Sequence, residues 1–147
     1  MNNQWLMVEF SLRGGFKQND MYKTSYNALR NKFAGSLSIL HHAASNGYEA
    51  MAQLCFDNGE DINSRGHNGW RALHFAAEGG HEPMVQQLLD RGADKEATTK
   101  DGSTALHLAV SEGHDSTAQL LIRNFDVDKK TKDNLGQTAL QLLLRYM

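Results

Sequence analysis

The side chains of this chain best suited to chemistry are its seven histidines and its single cysteine. An imidazole ligates metals or moves protons near neutral pH, and the stretch TALHLAVSEGH, residues 104–114, brings His107, Glu112 and His114 close together. Metal binding needs ligands that converge, and the spacing works against it. No His-x-x-x-His pair and no Cys/His grouping with zinc spacing occurs. His41 and His42 are consecutive, so on a helix they point about 100° apart and cannot clasp one ion. Nucleophile motifs are missing as well: neither G-x-S-x-G nor a P-loop is present, and the glycine pairs at 14–15 and 79–80 are too short to cradle phosphates. With no convergent acid, base and nucleophile, the sequence predicts no catalytic residue, no metal site and no cofactor.

What must place these histidines is a repeat. At an offset of 33, Leu40, His41, Ala43, Ala44 and Gly47 fall on Leu73, His74, Ala76, Ala77 and Gly80, and these on Leu106, His107, Ala109, Val110 and Gly113. The match continues through GYEAMAQLCFDNGED (47–61), GHEPMVQQLLDRGAD (80–94) and GHDSTAQLLIRN (113–124). A fourth start, NLGQTALQLLL at 134–144, is displaced by 34, which one extra residue near Arg123-Asn124-Phe125 accounts for. His41, His74 and His107 therefore occupy one place in successive units rather than one point in space. Cys55 falls where later units have Leu88 and Leu121, which predicts a buried core thiol.

Each unit reads as two helices. In the second copy, Ala76 and Ala77 allow close packing, Gly79-Gly80 stops the first helix, and Pro83 sits just inside the second, where its missing N–H costs nothing. Met84, Val85, Leu88 and Leu89 recur at helical spacing and form a buried face, and Gly92 ends that helix. Polar, glycine-containing segments such as EDINSRGHNGWR and ADKEATTKDGST link one helix pair to the next as turns.

RALHFAAEGGHEPMVQQLLDRGAD and GSTALHLAVSEGH resemble ankyrin repeats, whose signature is a 33-residue period with a T-P-L-H-x-A run. The corresponding runs are S-I-L-H at 38–41, R-A-L-H at 71–74, T-A-L-H at 104–107 and T-A-L-Q at 138–141, so Ile or Ala replaces the family's proline. The resemblance spans roughly residues 34–144. It implies an all-α ankyrin-repeat solenoid of stacked helix-turn-helix units with projecting β-turn or hairpin loops. It also assigns to His41, His74 and His107 local hydrogen bonds that tie one repeat to the next, and a structural role to His81 and His114 at the Gly-His position.

The expected partition is an N-terminal segment (1–33), repeats at 34–66, 67–99 and 100–133, and a partial repeat at 134–147. Residues 1–33, with Trp5, Leu6, Val8, Phe10 and Leu12, read either as a degenerate repeat or as a cap over the first clear unit. The last unit is one helix long and crowds Leu140, Leu142, Leu143 and Leu144 together, which suggests a truncated array or a recruiting, even self-associating, end.

Charge narrows the partners. Residues 1–33 carry five Lys/Arg against two Asp/Glu, leaving +3, and the remainder ten against fifteen, leaving −5. An acidic body lacks a basic stripe for phosphates, so nucleic acid is not an expected partner, whereas a protein with a basic surface is. No stretch approaches the roughly 18 apolar residues of a membrane span. The opening MNNQWLMVEF lacks a signal-peptide core, and a lone cysteine suits a reducing compartment, so the expected location is intracellular, cytoplasm or nucleus.

The resemblance implies non-catalytic protein recognition by an adaptor or scaffold, through turn tips and first-helix surfaces. The alternative is a recognition or regulatory segment of a larger enzyme or signalling protein whose catalytic domain lies outside this chain. Positions that vary between copies are those the core leaves open: His67, Asn68 and Trp70, then Lys100, Asp101 and Ser103, then Asn134, Leu135 and Gln137 at the turn tips, and Ser45 with Asn46, Glu78, and Ser111 with Glu112 at the first-helix ends. Trp70 stands out, because Leu37, Ser103 and Gln137 hold its place elsewhere and tryptophan is enriched in interface hot spots. The structural alternative is that Trp70 lies on a neighbouring turn and stiffens it.

Overall fold

A computed structural model of the chain describes residues 26–28, 30, 31 and 38–146. The expectations for Trp5 to Leu12 therefore lie outside the described residues. Within them the regular structure is helical and no strand occurs. Helix α1 (Ile39–Asn46) pairs with α2 (Glu49–Asp57), α3 (Ala72–Glu78) with α4 (Glu82–Asp90), and α5 (Ala105–Ser111) with α6 (Asp115–Phe125), while α7 (Ala139–Tyr146) stands as the first helix of a fourth unit. A 3-10 turn, His67–Gly69, precedes α3.

The helices begin and end for local reasons. Ser38 and Thr104 cap α1 and α5 by accepting the N–H of His41 and His107. Helices α1, α3 and α5 close at left-handed glycines, Gly47 (φ 71°), Gly80 (φ 68°) and Gly113 (φ 75°). A second constraint acts at the first two: a Cβ on Gly47 would lie 2.7 Å from Nδ1 of His81, and one on Gly80 2.6 Å from Nδ1 of His114. Both glycines thus clear space for the histidine of the next unit.

A single core runs through the stack. Ala43, Ala44, Ala76, Ala77 and Ala109 are fully buried, and these small residues let the first helices approach one another. The first helices touch over more of their length than the second helices do. The side on which α1, α3, α5 and α7 pack together is the more closely packed, inner side of the stack. Met84, Val85, Leu88 and Leu89 are all buried on α4 as the periodicity predicts, and Cys55 is buried on α2. Burial, then the nearby Glu60 carboxylate, pushes the Cys55 thiol far above its usual range. Such a thiol is inert as a nucleophile. Tyr26 joins the core ahead of α1 and donates its hydroxyl to Glu60.

The 34-residue step has a visible form. Helix α6 has 11 residues where α2 and α4 have nine. It ends at Asp126, φ 47°, in the left-handed position that Gly59 and Gly92 hold in the earlier units.

Candidate partner-binding surface

The histidines form two ladders. In the first, Nδ1 accepts the backbone N–H of Ser38, Arg71 or Thr104 at 2.9–3.1 Å, which leaves the hydrogen on Nε2. That N–H is donated to a carbonyl of the next linker: His41 to Ser64, His74 to Ala97 and His107 to Gln137, each at 2.9 Å. The last rung spans 30 residues instead of 23. In the second ladder His81 donates to the Ser45 carbonyl at 3.0 Å and His114 to the Glu78 carbonyl at 2.8 Å. Burial is the main reason His41 and His74 sit below the usual imidazole pKa. Both rings are held neutral, as fixed connectors. Among the described residues no group of three or more His, Cys, Asp or Glu could hold a metal.

The turn tips are joined to one another. Each closes on itself, through Gly66 N–H to Trp70 O (2.7 Å), Thr99 N–H to Ser103 O (2.9 Å) and Asp133 N–H to Gln137 O (2.9 Å). Each is then bonded to the next, Lys100 N–H to Asn68 O at 2.7 Å and Asn134 N–H to Asp101 O at 2.9 Å. The tips thereby form one ridge beside the inner helices.

Of the variable positions, Ser45, His67, Asn68, Glu78, Lys100, Asp101, Ser111, Glu112, Asn134 and Leu135 are exposed, while Asn46, Trp70, Ser103 and Gln137 are half-buried. Several are already committed within the fold. The Asn134 amide donates to the Lys100 carbonyl at 2.8 Å, the Asn46 amide donates to the His42 carbonyl at 2.9 Å, and the Gln137 carbonyl accepts from His107. Leu135, at 81% exposure, is the most open large apolar side chain among the described residues.

Trp70 belongs to an aromatic patch. Its ring lies 5.0 Å from that of Phe75 and meets His74 edge-on at 6.1 Å, while Phe75 also contacts the His41 ring at 5.6 Å. Phe75 was not among the variable positions singled out from the sequence. The signal was present, since His42, Phe75 and Leu108 share one repeat position. At the far end of the first helices, Glu78 has its pKa raised by partial burial and then by the Glu112 carboxylate.

Stacked helix pairs, joined turn tips and a histidine rung per unit are the structural counterpart of the sequence repeat. The family profile for ankyrin repeats in three copies matches residues 7–99, 40–133 and 83–146. The chain belongs to the ankyrin-repeat family. Ankyrin repeats are in general protein–protein interaction modules and are typically non-catalytic. Comparison with the curated proteins gives no match. No described helix of this ankyrin-repeat chain is long and apolar enough to cross a membrane.

Proposed function

We propose that this ankyrin-repeat chain is a non-catalytic adaptor that holds a protein partner along the turn-tip ridge and the inner faces of α1, α3, α5 and α7. The observation carrying this reading is the half-buried Trp70–Phe75 pair near the start of α3, with the exposed, like-charged Glu78 and Glu112 at the other end of the first helices. An apolar anchor at one end of the first helices and exposed carboxylates at the other suit an extended partner segment that combines an apolar side chain with Lys or Arg. The partition into repeats at 34–66, 67–99 and 100–133, with a partial unit at 134–147, is part of the same reading. The profile match back to residue 7 favours the degenerate-repeat reading of residues 1–33.

The test is affinity capture with quantitative mass spectrometry, comparing the parent chain with Phe75→Ala, Glu78→Lys and, on α4, the outer-face control Gln86→Ala. A prey lost with the first two and kept with the control supports the proposal, provided circular dichroism shows all three folded. Prey lost only with Gln86→Ala would overturn it.

A further inference from the structure

On the second-helix side of α7 lies an open groove of about 710 Å³, lined by Leu106 and Val110 of α5, Ala118 and Ile122 of α6, and Leu140 and Leu143 of α7. Repeat symmetry identifies what such a groove accepts. Ala118 and Ile122 correspond to Val85 and Leu89, which are buried where α6 packs on α4. Leu140 corresponds to Leu106, which is 3% exposed, yet Leu140 is 60% exposed. In the earlier units the equivalent space holds a helix, running back along its own first helix.

The charges at the rim say which end of a helix meets them. Lys95 donates to the carbonyl of Phe125, the last residue of α6, at 2.6 Å. Its counterpart one unit on is Lys129, an exposed lysine lining the groove. Beside it, position 130 departs from the pattern. Asn63 and Glu96 use side-chain oxygens to accept the N–H of Asp94 and Asp128 in the next unit, both at 2.9 Å, but their counterpart is Lys130, which has no acceptor. The groove therefore ends in two ammonium groups where another ordinary repeat would be offered an acceptor.

The geometry points to a docking site for an amphipathic helix of a partner protein, its leucine- or methionine-rich face on Leu140, Leu143 and Ile122 and its acidic C-terminal end at Lys129 and Lys130. Helix C-terminal carbonyls and carboxylates both favour cations there. A second copy fits less well, because its α7 carries Arg145 in the last turn and would bring positive charge to positive charge.

The probe is a fluorescent, helix-stabilised peptide of residues 80–90, which carries the α4 apolar face and ends on Asp90, titrated into the full 147-residue chain with its C-terminus as a free carboxylate or an amide. Expected is saturable binding, tighter for the carboxylate, lowered at least about 10-fold by Leu140→Asp and about 3- to 10-fold by Lys129→Glu with Lys130→Glu. Phe75→Ala should leave it unchanged, which separates this site from the inner surface. Absence of binding, or binding indifferent to Leu140→Asp, would sink the proposal. Indifference to the lysine pair, or loss with Phe75→Ala, would overturn the assigned orientation or place. Sedimentation showing a dimer that Leu140→Asp dissolves would hand the groove to a second copy instead.

Discussion

Asp126 shows how one residue carries a cost that its repeat partners avoid. It adopts φ 47° where Gly59 and Gly92 sit, and a β-carbon is disfavoured in that region, though less for Asp than for most residues. Asp126→Gly should stabilise the chain by about 0.5–1 kcal/mol, seen as a higher melting temperature; a lower one would show that the aspartate makes a compensating bond. Gly80 is the converse. Gly80→Ala combines a left-handed φ of 68° with a Cβ 2.6 Å from the His114 ring, so it should cost about 2 kcal/mol or more in urea unfolding. Trp70 belongs here too. Its ring packs on Phe75 and His74, so Trp70→Ala should cost about 1 kcal/mol by the same assay.

At the scale of the element, each first helix is held at its start by a histidine that bonds inward to its own cap and outward to the next linker. His74 is the best-buried rung, taking the Arg71 N–H at 2.9 Å and giving its own N–H to Ala97 O at 2.9 Å. Replacing it with leucine keeps the volume and orphans both backbone groups, which should cost about 2–4 kcal/mol and loosen α3 from the 94–99 linker. Hydrogen exchange at Ala97 and neighbouring amides would report that loosening. Unchanged protection would mean that the alanine-rich contact between α1 and α3 suffices. Helix α7 departs from this scheme, since Gln141 takes the histidine position and its side chain accepts the Thr138 N–H at 2.9 Å without reaching a further unit.

For the whole molecule, two of the rungs make stability respond to pH. His41 and His74 have folded-state pKa values below the unfolded value of about 6.5, chiefly through burial, so the unfolded chain takes up protons first. Their contribution is complete above about pH 6.5 and is lost as pH falls below it. Glu78 acts in the opposite sense, because its raised pKa lets the folded form bind a proton first. The urea midpoint of a Glu78→Gln variant should therefore drop between pH 7.5 and pH 5.5; an equal midpoint at both would refute the lowered pKa of His41 and His74. The period, the paired helices, the buried faces and the structural role of the histidines were legible in the chain, because a repeat imposes the same local chemistry at every copy. Residues 104–114 illustrate it: His107 and His114 are rungs, and Ser111 and Glu112 face solvent. Three things were decided only by tertiary structure. Asn134 turns from a free tip residue into a strut because its amide reaches a carbonyl 34 positions away. Phe75 and Trp70 become one patch because a turn and a helix fold side by side. The leucines of α7 divide into Leu142, 8% exposed, and Leu140, 60% exposed, because one side of that helix meets α5 and the other meets an open groove. Sequence periodicity names the residues that neighbours must bury; which of them are covered is decided by how the helices around each one pack in space.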